Sequence, residues 1–414
     1  MDRMLQSEEA ARRLGIKVST LYAYVSRGLL ASHSEPDGRR SLFALADIEQ
    51  LARGRRRGER VESGLATITT GVTQLRQGGP YYRGRPATEL ASRMTFEEVA
   101  ALLWGTEGDE KGEGEGEREG DWTAPDLGEC PLVQVPDRMR WALVMCGAKD
   151  PLRADLSPVA VNRAARRVIA ALTDVVSPAA STGREENGKG TGNGEGDGEA
   201  ALSIALRLAR RLTGTAAPRS AGRSAPEWAA ALNAALILMA DHELATSTVA
   251  VRVAASTRAD LYDALRAGLA TLGGPLHGAA SQGAYELLTT VERDGPSRAI
   301  HDVLHRHDNL PGFGHKVYKE GDPRFAALWE LARPLLSEER CRLFLEMLER
   351  AEADGVPFPN CDLALAALSW GTGMPPDAGR TIFTVARIAG WTAHYQEELM
   401  ERPLRFRARA VYSV

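Results

Sequence analysis

Cysteine is scarce in this chain: Cys130, Cys146, Cys341 and Cys361 are the only four among 414 residues, far apart and with no C-x-x-C pair. That spacing offers neither a disulfide framework nor a zinc knuckle, and it fits a reducing compartment. Apolar runs of about eighteen residues, the length needed to cross a bilayer, are also missing. The opening "MDRMLQSEEA" is polar and has no secretory apolar core. A cytoplasmic protein that is neither exported nor embedded is therefore expected. Net charge is small, -4, so no overall field draws nucleic acid or acidic membrane. Internal repeats are not evident, and β-branched alternating runs are few.

What the chain does contain is length for two or three domains and 43% hydrophobic residues, enough for a real core. Its charge is uneven. Arg39, Arg40, Arg53, Arg55, Arg56, Arg57 and Arg60 make the first sixty residues basic, whereas two later tracts are rich in Glu and Gly.

Residues 5–52 open with an N-cap signal at Ser7, followed by Ala10, Ala11 and Leu14 at helical spacing, and Gly15 ends that helix. A second cap at Ser19 starts "TLYAYVSRGLL", with Leu21 and Val25 on one face and Tyr22, Ser26 and Arg27 outward. "EPDGRRSLF" reads as a hairpin with a basic tip, and "ALADIEQLA" as a further helix. The pattern resembles the winged helix-turn-helix of MerR-type regulators. Such a unit lays its second helix in a major groove, which makes Tyr22, Arg27, Arg39 and Arg40 the DNA-facing candidates. The competing reading is docking or dimerisation, because fold alone does not fix function.

"RGRRRGER" reads as a linker, while "EGDEKGEGEGEREGD" (107–121) and 177–200 carry too little apolar surface to fold and are expected as surface insertions. The rest is Ala- and Leu-rich at helical spacing, so a mainly α body is expected, with short strands near "LATITTGVTQL" and "YYRGRPA".

Chemistry concentrates in "PGFGHKVYKEGDPRF" (311–325). Its glycines permit sharp turns and close approach to a ligand, His315 can donate a proton at neutral pH, and Arg324 can fork a carboxylate or phosphate. "ADHELATST" places His242 within a long apolar helical pattern, where a satisfied core histidine is the plain alternative. "LGGPLHGAASQGA" sets His277 in a turn entering a helix, whose positive end favours neutral imidazole. "PFPNCDLALAALSW" sets Asp362 at the mouth of an apolar helix, where partial burial would adjust its basicity. "HDVLHRHDN" holds His301 and His305 at i, i+4 with His307 and Asp308 nearby, a spacing open to metal ligation or to a solvated helix end.

D-H-E, then G-P-L-H-G, then G-F-G-H-K-V-Y with D-P-R, then P-N-x-D and "FTVARIAGWTAHY", preceded by "GLATITTGVTQL" and "MTFEEVAALLWG", resemble the citrate synthase family in order across residues 61–414. The resemblance implies a two-domain helical fold behind a helix-turn-helix unit at 1–60. Its large domain would take 61–274 with 370–414 and its small domain 275–369. It further implies that Asp362 is the base toward acetyl-CoA, that His277 stabilises the enol, and that His315 protonates the oxaloacetate carbonyl. His242, Arg324 and Arg387 would grip oxaloacetate, and Phe383 would stand beside the site. The family's Arg-Pro-Arg ending is altered here to "LRFRARAVY", which makes Arg405 the expected cross-subunit arginine and Arg402 its alternative. Lys316 is the candidate for coenzyme A contact. The implied partners are oxaloacetate and acetyl-CoA as substrates and a second copy of the chain, with DNA possible through the N-terminal unit. No metal, cofactor or membrane is implied. Two other readings stand beside this one: a 2-methylcitrate synthase using propionyl-CoA, and a DNA-binding regulator whose synthase-like body senses ligand.

Overall fold

The computed structural model describes residues 4–14, 18, 21–22, 25, 30, 32–34, 41–45, 47–48, 68–106, 122–177, 203–214, 225–274, 277–278, 280–306 and 309–407. Arg27, Arg39, Arg40, Gly15, Ser19, the basic linker and nearly all of both Gly-rich tracts lie outside the described residues. The chain divides into one unit of Met1–Thr69 with Phe406–Val414 and another of Thr70–Arg405.

In the first unit, strand β1 (Met4–Gln6) leads into helix α1 (Ser7–Leu14), and β2 (His33–Ser34) pairs with β3 (Ser41–Ala44) as the sequence hairpin requires. The sequence did not announce β1, which adds to the other edge of β3 in antiparallel register. Ala10, Ala11, Leu14 and Leu21 are buried against Leu5, Phe43 and Ile48, with Val25 packed beside them, so the helical apolar spacing does build the core. Tyr22 is partly exposed, but its phenol lies 2.9 Å from the Ser7 hydroxyl and its ring meets Phe43 edge-on at 6.4 Å. That residue therefore has internal bracing to do whatever else it touches.

The second unit opens with an antiparallel meander, β4 (Thr73–Arg76), β5 (Gly79–Tyr82) and β6 (Arg85–Pro86), close to where strands were expected. Helices follow: α2 (Ala87–Arg93), α3 (Phe96–Trp104), α4 (Val135–Ala148), α5 (Pro158–Asp174), α6 (Ile204–Thr213), α7 (Ala225–Met239), α8 (Thr246–Ser256), α9 (Leu261–Leu272), α10 (Ala280–Asp294), α11 (Pro296–Arg306), α12 (Pro323–Ala332), α13 (Glu338–Ala353), α14 (Cys361–Gly371) and α15 (Ala378–Leu399). Local chemistry sets many of their ends. Thr95 and Glu98 form a reciprocal capping box ahead of α3, and Gly105 closes it in the left-handed region.

Two apolar clusters fill this unit. One gathers residues from Val72 to Tyr395, with α15 running through it, and the other gathers residues from Ala284 to Trp370. Helices α12 and α14 serve both. Leu328 and Ala332 face the first cluster and Trp329 the second, and Leu365 and Leu368 face the first while Leu363, Ala366 and Trp370 face the second. The seam between the clusters therefore runs along these helices, and the N-terminus of each delivers a charged residue to one site. The four cysteines are unpaired, and no described helix is long and apolar enough to cross a membrane.

Candidate active site

Helix α7 stops at Met239 without a glycine or proline, because distant groups take its last carbonyls. The Tyr82 hydroxyl donates to Ile237 at 2.9 Å, Arg387 Nε to Met239 at 2.9 Å and the Gly390 N–H to Ala240 at 3.2 Å. A side chain at Gly390 would put Cβ 2.4 Å from the Ala240 carbonyl oxygen, so only glycine admits this approach. His242 consequently sits in a turn, not within a helix as the apolar pattern suggested. Its Nε2 lies 3.1 Å from the Tyr318 hydroxyl, and its ring meets His315 edge-on at 5.3 Å. Burial, then Arg324 and Arg387, hold its pKa well below the ordinary value, so it is neutral.

The His315 loop is laced to the segment before α14. Gly314 N–H donates to Phe358 at 2.7 Å, Asn360 N–H to Gly312 at 2.9 Å, and Asn360 Nδ2 to the Gly314 carbonyl at 2.7 Å. Gly312 and Gly314 have φ of 84° and 72°, and a Cβ on Gly312 would stand 2.9 Å from Leu363 Cβ. Gly312→Ala is expected to cost about 2 to 5 kcal/mol, from left-handed strain together with overpacking. Chemical denaturation measures it, and a loss under about 1 kcal/mol would show that the lacing yields.

His315 Nδ1 accepts from the backbone N–H groups of Val317 (3.1 Å) and Tyr318 (3.3 Å), which leaves the ring proton on Nε2. Burial, then Arg324, press its pKa down to about 4. At neutral pH the ring is therefore uncharged, and the proton the sequence reading gave it to donate is the N–H of neutral imidazole. Nε2 faces Arg324 Nη2 at 3.3 Å. Both are donors, so neither satisfies the other, and an incoming oxygen would serve both.

Arg324, buried, is fixed by Asp322, whose carboxylate accepts from its Nε and Nη2 at 2.9 Å each. Asp322 also caps α12 and accepts the Cys361 N–H at 2.9 Å, so one carboxylate ties the arginine to the start of α14. There Asn360 caps the helix by accepting from Asp362 N–H at 2.9 Å, while the Asp362 carboxylate takes no hydrogen bond from any described residue. Burial lifts the Asp362 pKa to about 6, with Arg324 pulling the other way. The sequence expectation of a carboxylate tuned by burial agrees with this geometry.

On the other side, His277 Nε2 lies 2.8 Å from the Ser247 hydroxyl, and its ring meets Phe383 edge-on at 6.3 Å. Its pKa is lowered by burial, then by Arg387 and Lys316, so burial and cations take the role that the sequence gave to a helix end. The Arg387 guanidinium lies 4.4 Å over Phe383, and its Nη atoms hold no partner among the described residues. His242, His315 and Arg324 thus cluster, and His277, Phe383 and Arg387 form a second group joined to the first through Met239.

Arg405 is engaged within this chain. Its Nε and Nη2 fork the fully buried Glu398 at 2.7 and 2.6 Å. Arg402 and Arg407 are exposed, as is Lys316. His301 and His305 stack at 6.1 Å on the exposed face of α11, His307 and Asp308 lie outside the described residues, and among the described residues no metal-holding group of three or more appears. Sequence reasoning missed Asp322, Asn360, Tyr318 and Ser247 as supporting residues. The first two carried a signal, an N-cap aspartate before Pro323 and a cap asparagine before α14. Tyr318 closes the G-F-G-H-K-V-Y motif, and Ser247 carried no signal.

Fold and site together define a mainly helical protein in which three histidines, two buried arginines and a carboxylate of raised pKa gather along the seam of α12 and α14. The chain belongs to the citrate synthase family, whose C-terminal domain matches residues 61–409, and a helix-turn-helix domain matches residues 4–56. Citrate synthase 2 of Bacillus subtilis is 37% identical over 188 residues, 44% of this chain and 50% of that protein. The chain thus spans about half the length of this relative. A 2-methylcitrate synthase of Mycobacterium tuberculosis is 29% identical over 365 residues, 82% of this chain and 87% of that one. Among solved structures, citrate synthase from Thermotoga maritima aligns with TM-score 0.61 and 26% identity over 84% of this chain and 94% of its own. That of Thermoplasma acidophilum, a ternary complex with carboxymethyl coenzyme A and oxaloacetate, aligns with TM-score 0.64 and 22% identity over 86% and 96%, a likeness of fold.

Proposed function

We propose that this chain condenses acetyl-CoA with oxaloacetate and water to give citrate and free CoA. The observation that carries the reading is Asp362: a half-buried carboxylate with raised basicity, at a helix start tied through Asp322 and Asn360 to the loop of His315 and Arg324. Asp362 removes a methyl proton, and His277 donates a hydrogen bond to the thioester oxygen as the enol forms. The carbon so activated attacks the oxaloacetate carbonyl carbon, whose oxygen takes the proton from His315 Nε2, and the methyl proton held by Asp362 returns to that ring by way of solvent, restoring both groups. Water then cleaves the thioester, releasing citrate and CoA. Arg324, Arg387 and His242 hold the dianion. Acetyl-CoA is a substrate, and the chemistry calls for no metal or resident cofactor. A homodimer in the cytoplasm completes the reading, and the unpaired cysteines suit that compartment.

The test is CoA thiol release by purified protein given oxaloacetate with acetyl-CoA or, in parallel, propionyl-CoA. Folded protein that binds oxaloacetate yet releases no thiol would overturn the reading in favour of a ligand-sensing regulator. The match to a 2-methylcitrate synthase over most of both chains supports propionyl-CoA as the second candidate. One methylene is worth about 1 to 3 kcal/mol in a pocket, so the kcat/KM ratio between the two donors decides. The helix-turn-helix match supports DNA as a further ligand, and undetectable binding at low salt would reject it.

The pH profile follows from the same groups. Asp362 must be ionised to act, so kcat/KM should fall about tenfold per pH unit below about 6. His315, neutral above about 4, adds no limb in that range. A profile flat from about pH 5 to 7 would remove Asp362 from the role of base.

A further inference from the structure

Behind the His242 turn lies a row of buried charge that the reaction does not touch. His394, fully buried on α15, stands with Nδ1 3.0 Å from Arg252 Nη1. Arginine only donates, so Nδ1 accepts and the ring proton sits on Nε2, 3.3 Å from Asp241 Oδ2. Arg252, equally buried, donates to Glu397 Oε2 at 2.6 Å and to Glu398 Oε2 at 2.9 Å. At the near end Asp241 precedes His242 and takes the Glu243 N–H at 3.0 Å, fixing the turn in which Glu243 has φ of 55°. At the far end Glu397 Oε1 accepts the Gly71 N–H at 2.7 Å, and Glu398 holds the Arg405 fork. Thr70 and Arg405 are the first and last residues of this unit, so both chain passages to the other unit start from this one cluster.

Burying so many charges costs several kcal/mol per ion, and apolar residues of similar volume would often stabilise as well or better. The network is not even fully satisfied among the described residues, where Asp241 Oδ1 and Arg252 Nη2 are buried with no hydrogen-bond partner. Stability alone is a poor reason for such an arrangement. Fixed orientation of the turn is a better one.

We propose that His394 and Arg252 are positioning residues of the oxaloacetate site: through Asp241 they hold the His242 turn, and through Glu397 and Glu398 they tie its geometry to the two junctions. This rests on the oxaloacetate reading given above. In the full chain, His394→Leu cuts the link beside Asp241, whereas Glu397→Ala cuts it at the Gly71 junction, touching no site group among the described residues. Each should raise KM and calorimetric Kd for oxaloacetate roughly 2- to 30-fold and leave KM for the acyl-CoA unchanged. Equal rises in both KM values, or unchanged oxaloacetate affinity, would overturn the proposal. An effect at His394 with Glu397→Ala silent would refute the tie to the junctions. Should His394→Leu fail to fold, Glu397→Ala with its partly exposed side chain carries the test. Wild-type protein that binds no oxaloacetate would defeat the functional reading, and this inference with it.

Discussion

Asp362→Asn should lower kcat by about 10² to 10⁴-fold, the usual weight of a positioned base, while leaving the fold intact. Asparagine keeps the shape and the helix start, because Asn360 caps through the backbone N–H and not through the carboxylate. What disappears is the acceptor for the methyl proton. Stability should move the other way. Burial raises the Asp362 pKa from 3.8 to about 6, so the folded state binds its proton more tightly than the unfolded chain. The stability this confers is present below about pH 3.8 and lost as pH rises through about 6. At pH 7 the ionised carboxylate therefore costs up to about 3 kcal/mol. The variant should melt higher than wild type at pH 7 and alike near pH 4. Thermal unfolding at both pH values, beside steady-state thiol release, checks the pair of effects. Retained turnover would exclude Asp362 as the base, and a lower melting point at pH 7 would show that its charge is compensated.

Arg324→Met should be the most damaging change to both binding and folding. Asp322 is fully buried and spends its carboxylate on Arg324 and on the Cys361 N–H. Removing the arginine leaves a buried carboxylate without its countercharge, which costs about 3 to 5 kcal/mol. It also removes one cationic fork from the site, so oxaloacetate affinity should fall at least about tenfold. A second variant separates these losses. Arg324→Met with Asp322→Leu removes both charges and should recover much of the stability, yet none of the binding. Denaturant unfolding and calorimetry with oxaloacetate measure the two quantities. Recovery of binding in the double variant would show that Arg324 acts only by neutralising Asp322.

How far the sequence reached can be read from single residues. The helical spacing of Ala10, Ala11, Leu14 and Leu21 named the core of the first unit, because such a signal acts over a few turns of chain. Gly312, Gly314, His315, Arg324 and Asp362 were all legible as chemistry, since each lies in a short motif whose residue types are required together. The charge state of His315 was not legible. Its pKa of about 4 comes from burial and from Arg324, neither of which a local motif reports.

The sequence by itself determined the family, the mainly helical body, the separate basic N-terminal segment and the residue types that meet in the cleft, because periodicity, caps and ordered motifs are local properties. Only the tertiary structure decided where α7 ends, since Tyr82, Arg387 and Gly390 supply that ending from elements 148 or more residues away for the first two contacts. It also decided that Arg405 forks Glu398 within the chain, that His242 follows the end of α7 and is braced by Tyr318, and that burial lifts the Asp362 pKa. Each of these depends on burial or on a partner remote in sequence, and the free energy of a buried charge is set by what surrounds it in space.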